Sequence, residues 1–350
     1  MKTILVVNVN WIGDVIFSTP VFRALRQHYP DAKIVSLAVP RVVPVLEACP
    51  DVDEVIVYDE KGRHRWPWGK LALIRQLRRF QFDAAFLLHR SWTRAFLVYG
   101  SGARQRIGYD LKNLGHLLTH TVSHPGEGIH RSDYYLKIVE SYGVPVTDRR
   151  TRLVPSDQSR EEIRRRLKSE EIDDGDFVIV LNTGGNWNLK QWPPESFAAV
   201  IRLLAQEASL PVRIVVSGAP KDLERVQRIQ NLAAGTPCTI LAGQTSLPQV
   251  FALMERANLV ISADSGPLHI ASSVGTATIA IFGPTRPEIT GPRGEGSSVV
   301  LQKDLDCNRR ACYRLDCPEN RCMKSVTPQE VVREAVRIYH RQTAQTKDRL

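Results

Sequence analysis

At 350 residues, 43% of them hydrophobic and 24% charged, the chain has the composition of a soluble globular protein and the length of two domains rather than one. No apolar run approaches the roughly 20 residues that a membrane-spanning helix needs, and the chain opens directly on a strand pattern with no leader signature, so a cytoplasmic protein is expected. A formal net charge of +10 favours a polyanionic partner (nucleic acid, anionic lipid or a phosphorylated glycolipid), with a merely solvated basic surface as the alternative, and charge alone does not choose among these.

Strands and helices alternate through the first half. Thr3–Val9 is a continuous apolar strand, and the loop Asn10–Asp14 leads into a helix reaching about Tyr29, which Pro20 either kinks or begins. Lys33–Ala38, Glu54–Tyr58 and Asp83–Leu88 read as further strands, with helical patterns near Val42–Ala48, Leu71–Phe80 and Ser91–Tyr99. A polar, proline-punctuated stretch between Gly143 and Ser156 reads as a linker. After a helix at Ser159–Lys168 the second half gives strands at Phe177–Leu181, Val212–Ser217, Thr239–Leu241, Leu259–Ser262 and Thr278–Phe282. Its helices fall at Pro194–Gln206, Leu223–Leu232, Leu247–Arg256, Leu268–Val274 and Pro328–Arg341. The predicted fold class is therefore α/β, with two Rossmann-like doubly wound parallel sheets in domains 1–155 and 156–325 and a terminal helix within 326–350.

In such sheets the strand-to-helix loops share one edge, where ligands bind. Ala257–Thr285 reads as strand, turn, helix, strand and loop, and puts helix N-terminal amides at a strand's carboxyl end, an anion site suited to phosphate. Around the turn Ser265-Gly266, Asp264 can accept hydrogen bonds from the turn or a sugar hydroxyl, and His269 can donate to a phosphate oxygen. An ordinary crossover whose Ser and Asp cap a helix accounts for the same residues. Asp14, following Gly13, stands at a helix start whose partial positive charge favours the carboxylate, either as a cap or as a reactive group. In Asn182–Pro193, Thr183, Gly184 and Gly185 precede Lys190; glycines let backbone approach a diphosphate and the lysine supplies a cation. This is not a Walker loop, because the Gly-Lys-Ser/Thr ending is missing.

Cys307, Cys312, Cys317 and Cys322 recur every five residues. Four thiolates in one loop can hold tetrahedral Zn²⁺; two disulfides are the competing reading, disfavoured in a reducing cytosol. Cys49 and Cys238 read as buried thiols. Asp51-Val-Asp53 and Asp304-Leu-Asp306 match the Asp-x-Asp pattern of metal-dependent glycosyltransferases, but both lie away from the loops above and read as structural, so no catalytic metal is expected.

Asp-Ser-Gly-Pro-Leu-His-Ile-Ala at 264–271, followed by Ile-Phe-Gly-Pro-Thr at 281–285, resembles the nucleotide-sugar loop of glycosyltransferase family 9, the bacterial heptosyltransferases. Gly13-Asp14, Lys190-Gln-Trp-Pro193 and the cysteine loop are similar to the family's motifs and fall in its order, over most of the chain. The resemblance implies a GT-B architecture, with two Rossmann-like domains facing a cleft and a last helix crossing back onto the first. It implies an ADP-heptose donor at Asp264, Ser265, Gly266 and His269, with Lys190 on its phosphates and the Thr183–Gly185 turn close by. Asp222 would serve the ribose, in place of an acidic residue whose position Pro220 occupies. The loop around Thr245 would touch the adenine, although a turn capped by Ser246 explains that loop equally. Asp14 would be the catalytic base. The implied function is inverting transfer of heptose from ADP-L-glycero-β-D-manno-heptose to the inner core of lipopolysaccharide, with no cofactor or metal. Asn-Trp-Ile-Gly-Asp at 10–14 is nearest the type that adds the second heptose. A basic protein suits a phosphorylated glycolipid acceptor and peripheral contact with the anionic cytoplasmic face of the inner membrane. No nucleic-acid motif is visible. The alternatives are a GT-B transferase with another nucleotide sugar or a protein acceptor, or a non-catalytic sugar-nucleotide-binding protein.

Overall fold

The computed structural model describes residues 1–110, 114–207, 210–305, 307, 312 and 317–347, and the chain divides into two compact units, Met1–Val154 and Pro155–Leu350. The first unit runs β1 (Thr3–Val7), α1 (Ile12–His28), β2 (Lys33–Ala38), α2 (Val43–Glu47), β3 (Glu54–Val57), α3 (Pro67–Arg78), β4 (Ala84–Leu87), α4 (Trp92–Ser101), β5 (Gln105–Tyr109), β6 (His120–Val122) and α5 (Arg131–Ser141). Its six strands lie in the order β3-β2-β1-β4-β5-β6, and every pairing is parallel.

The second unit begins with α6 (Asp157–Ser169), β7 (Phe177–Asn182), α7 (Pro194–Gln206), β8 (Val212–Ser217), α8 (Leu223–Leu232), β9 (Thr239–Ile240) and α9 (Leu247–Arg256). It continues through β10 (Leu259–Ala263), α10 (Gly266–Ser273), β11 (Ala277–Ile281), α11 (Pro287–Thr290), β12 (Ser298–Leu301), α12 (Arg321–Lys324) and α13 (Pro328–Lys347). This sheet is also wholly parallel, in the order β12-β11-β10-β7-β8-β9. Each unit thus repeats the dinucleotide-fold order, which reverses between β1 and β4 in one sheet and between β7 and β10 in the other. At such a reversal the loops from two neighbouring strands part and leave a crevice.

Burial explains which strands the residue pattern reveals. Ile4–Val7 and Val178–Leu181 are almost completely buried, as strands covered by helices on both faces must be, and so they read as unbroken apolar runs. β5, β6, β12 and α5 carry no such run and are additions to the expected elements. Gln105, Arg106 and the outer positions of β6 and β12 are partly or fully exposed. α5 is capped by the ring nitrogen of His130, which accepts from the Ser132 N–H at 3.1 Å, and not by a usual capping residue.

α1 begins at Ile12, so Pro20 is not its start. A proline in mid-helix leaves the carbonyl four residues earlier without its amide. That carbonyl belongs to Ile16, and the Thr19 hydroxyl donates to it at 2.8 Å, which lets the helix run through.

The second core gathers β-strand residues with Trp192, Phe197 and Ile201, and α13 lays Val331, Ala335 and Ile338 on the same cluster. The indole of Trp192 is fully buried and donates to the Val326 carbonyl at 3.0 Å, so the one polar atom of that large side chain is satisfied. Among the described residues no helix is long and apolar enough to cross a membrane.

Candidate functional site

Asp264 follows the last residue of β10, and Lys190 lies in the loop after β7, so the two stand on either side of the reversal point of the second sheet. The Lys190 ammonium donates to Asp264 Oδ2 at 2.6 Å, and the hydroxyls of Thr285 and Thr290 donate to the same oxygen at 2.7 and 3.4 Å. His269 Nε2 lies 3.4 Å from Asp264 Oδ1. The Asp264 side chain is only 5% exposed, whereas that of Lys190 is 23% exposed, so the cation sits on the solvent side of its carboxylate. Burial pushes the Asp264 carboxyl up. The His269 hydrogen bond and the Lys190 charge outweigh it and hold the group well below the usual carboxylate range. Asp264 therefore takes its hydrogen bonds from side chains of three other segments. An ammonium has three donors, and Lys190 keeps two beyond the one it gives Asp264.

Around this pair the backbone is arranged by other buried groups. Asn182, at the end of β7, donates from Nδ2 to Ser262 Oγ at 2.9 Å, Ser265 Oγ at 3.1 Å and the Gly184 carbonyl at 3.3 Å. Ser265 is thereby held by Asn182 and does not cap α10, whose N-cap has no side-chain hydrogen bond. At the head of that eight-residue helix Pro267 has no amide and the Leu268 N–H donates to the Ser265 carbonyl at 3.1 Å, which leaves the Gly266 N–H for an anion. Asp222 is buried and accepts from the Ala219 N–H at 2.9 Å. A Cβ on Gly184 would lie 2.1 Å from Asp222 Oδ2, so only glycine allows the loop to pass over that carboxylate. Arg225 of α8 donates to the Thr183 carbonyl at 3.0 Å and Gln191 Oε1 at 3.3 Å, and also to the Trp192 carbonyl, clamping the loop that carries Lys190. Gln191 donates onward to the Gly185 carbonyl at 2.9 Å. The hydroxyls of Thr183 and Thr245 are buried with no hydrogen-bond partner among the described residues. A buried orphan hydroxyl costs free energy, and a polar ligand at the sheet edge would satisfy it.

In the first unit Asp14 is the third residue of α1, half-buried after an uncapped Trp11. The Tyr135 hydroxyl of α5 donates to Asp14 Oδ1 at 3.1 Å. Burial, reinforced by the Asp14 charge, pushes the Tyr135 phenol well above its ordinary range, so it stays a donor. Asp14 Oδ2 makes no hydrogen bond among the described residues. The loop before α1 is anchored by Arg94 of α4, a buried guanidinium that donates to Asn10 Oδ1 at 2.7 Å and Glu60 Oε2 at 3.2 Å.

Asn182, Thr285, Arg225, Tyr135 and Arg94 escape the residue pattern, because each acts across a sheet or between helices. Thr285 lies in a visible motif, yet its bond to Asp264 is a tertiary fact. The four loop cysteines are free thiols, and no group of three or more His, Cys, Asp or Glu residues among the described residues is placed to hold a metal ion. Asp53 accepts from Arg26 and from the Ile34 N–H, both at 2.6 Å. Asp306 lies outside the described residues, as do the residues between Cys307, Cys312 and Cys317.

The family model for glycosyltransferase family 9 (heptosyltransferase) matches residues 70–320. Lipopolysaccharide heptosyltransferase 3 of Escherichia coli (strain K12) is 29% identical, over 91% of this chain and 93% of that one. Lipopolysaccharide heptosyltransferase 2 of the same strain is 24% identical, over 95% and 97%. The crystal structure of a family 9 glycosyltransferase from Veillonella parvula DSM 2008 superposes with a TM-score of 0.85 at 27% identity, over 96% of this chain and 97% of that one. The paired parallel sheets are those of the GT-B fold.

Proposed function

Because this chain belongs to glycosyltransferase family 9, and so is a glycosyltransferase, we propose that it moves heptose from ADP-L-glycero-β-D-manno-heptose to the inner core of lipopolysaccharide by direct, inverting displacement. The observation that carries the reading is the Lys190–Asp264 pair at the reversal point of the second sheet. The donor diphosphate takes the two remaining donors of Lys190 and the open Gly266 amide at the head of α10. Thr183, Thr245, Ser265 and Gly266 line the same edge, and Asp222 and His269 hold its loops and its carboxylate in place. As the sugar–phosphate bond breaks, negative charge grows on the departing ADP, and a positioned ammonium stabilises it without a metal. Asp14 Oδ2 takes the proton of the acceptor hydroxyl as the new bond forms, while Tyr135 holds Oδ1. One displacement, in which the acceptor oxygen attacks as ADP departs, inverts the anomeric carbon.

The relatives support lipopolysaccharide as the acceptor, and they bear the names of two acceptor types, heptosyltransferase 3 at 29% and heptosyltransferase 2 at 24% identity. A lipid-linked acceptor and a basic chain also support peripheral contact with the cytoplasmic face of the inner membrane.

The test is turnover of ADP-heptose with a panel of defined core acceptors, with the anomeric configuration of the product read by NMR and EDTA present throughout. Transfer with inversion is expected. Retained configuration, or strict dependence on added Mg²⁺, would overturn the mechanism. Thermal unfolding separates the donors: ADP at one hundred times its Kd should add about 2.7 kcal/mol. An equal gain with UDP or GDP would turn the reading to another nucleotide sugar.

A further inference from the structure

The positive charge of the chain is not spread over it. Residues 61–109 hold eleven Lys and Arg against one acid, Asp83, a net +10 equal to the formal charge of the whole protein. Everything outside this segment therefore balances to zero. Among the described residues only two of the eleven have a carboxylate partner, Arg94 with Glu60 and Arg104 with Asp83. Arg65, Arg75, Arg78 and Arg79 stand exposed with no carboxylate partner among the described residues.

The same segment carries most of the large exposed apolar side chains of the first unit. Trp66, Trp68 and Leu71 at the head of α3, and Trp92, Phe96 and Tyr99 along α4, are 49–67% exposed. The α4 residues are spaced four and three apart and so form one stripe on the helix. α3 and α4 pack together and turn Leu73, Ile74, Leu77, Ala95 and Val98 onto the sheet, which leaves the aromatic stripe on the outer side. Trp66 and Trp68 stack at 5.6 Å, and the guanidinium of Arg65 lies 5.2 Å from the Trp66 ring. Exposed aromatic side chains on two packed helices, among cations with no carboxylate partner among the described residues, suit a docking surface better than an ordinary solvated face.

We propose that the outer face of α3 and α4 is the surface on which this protein rests on an anionic lipid bilayer, with Trp66, Trp68, Trp92 and Phe96 entering the interface and the arginines meeting the headgroups. This names the surface for the membrane contact proposed above and rests on that reading only for the class of partner. Three physical arguments select lipid. A second copy on the same face would set +10 against +10, which opposes association. A nucleic-acid platform presents aromatic faces to successive bases along a basic groove, whereas here two of the tryptophans stack on each other. Tryptophan, with an apolar body and one N–H, settles at the headgroup level of a bilayer, and clustered Arg and Lys are drawn to anionic lipid.

The experiment is flotation of the full chain with phosphatidylcholine vesicles, with and without phosphatidylglycerol. Wild type is expected to float with the anionic vesicles only, with its tryptophan emission shifted to the blue, and to be released as salt shrinks the Debye length below about 8 Å. Trp66→Ser with Trp68→Ser, and separately Arg75→Glu with Arg79→Glu, should each weaken flotation by about tenfold or more. Both double variants should keep the thermal midpoint of wild type and its turnover on a water-soluble acceptor fragment. Equal binding to neutral vesicles, or unchanged binding by both double variants, overturns the proposal. So does a dimer in sedimentation that the tryptophan changes dissolve, or tighter capture by an oligonucleotide than by anionic vesicles. Vesicle binding by a protein that transfers no sugar would sink the catalytic reading and leave this surface standing.

Discussion

Two aspartates stand beside the strand-order reversals of the two units, one after a first strand and one after a fourth, and their surroundings give them opposite chemistry. Asp14 and Asp264 each follow the central region of a parallel sheet, at the head of a helix beside the point where strand order reverses. Asp264 is buried and shared among Lys190, His269, Thr285 and Thr290. Asp14 is half-buried, and one oxygen takes a single hydrogen bond, from Tyr135. A carboxylate whose lone pairs are filled by charged and hydroxyl donors holds its neighbours in place and resists protonation. A carboxylate with an open oxygen can accept a proton. The comparison teaches that position in the fold marks where chemistry is available, while the count of partners decides which kind.

The largest expected effect comes from removing the open oxygen. Asp14→Asn keeps size and shape and still accepts from Tyr135, so the thermal midpoint should hold. Turnover should fall by about 10²–10⁴-fold, the usual cost of losing a general base. Isothermal titration should find ADP affinity unchanged, since the donor loops belong to the other unit. Near-normal turnover would make Asp14 a helix-start residue and nothing more.

Next in size is Lys190→Ala. Losing one preorganised charge from the leaving group should lower turnover by about 10²–10³-fold and, unlike Asp14→Asn, weaken ADP binding as well. If ADP affinity and turnover both survive, the phosphate site has been placed on the wrong residues.

Much of this comparison is legible in the residues and part of it is not. Asp14 and Asp264 announce themselves because a strand, a glycine and a helix start are local patterns, as are Lys190-Gln-Trp-Pro193 and the buried strands β7 and β10. The partners do not. Tyr135 sits on α5, 121 residues from Asp14, inside a helix whose histidine cap gives no familiar start signal. Arg225 reads as one more charged position on an amphipathic helix, yet it clamps the loop that carries Lys190. The edge strands β6 and β12 are missed for a related reason: half-exposed and short, they lack the apolar run that two-sided burial demands of β1 and β7.

Asp264→Asn should act on folding more visibly than Asp14→Asn does. The amide cannot balance Lys190, and the loss of charge-assisted hydrogen bonds should cost about 1–3 kcal/mol at neutral pH, read from urea unfolding. The pH dependence has a definite sign. The carboxyl of Asp264 is held below its unfolded value, so its stabilisation is complete above the unfolded value of about 4 and fades as pH falls toward the folded one. The gap between wild type and variant should therefore narrow below about pH 4. A gap that stays constant into acid would mean that the Lys190–Asp264 contact contributes nothing as an ion pair.

The smallest effect, and the finest test of the contrast, is Tyr135→Phe. Tyr135 is almost completely buried, and phenylalanine fills the same space, so packing is preserved and the change removes one hydroxyl. If Tyr135 only fills the core, nothing but stability should respond. If it positions Asp14, the carboxylate gains freedom to turn, and fewer of its orientations point Oδ2 at the acceptor. A single hydrogen bond is worth about 0.5–1.5 kcal/mol net, so kcat should fall by roughly 2- to 10-fold. The donor KM should not change if the donor is held by the loops of the second unit as proposed, and the thermal midpoint should move little. Combining the change with Asp14→Asn supplies the decisive control. Once the base is gone its orientation no longer matters, and Tyr135→Phe should then cost no further activity. A full additional loss in the double variant would show that Tyr135 acts on the reaction by some route other than Asp14.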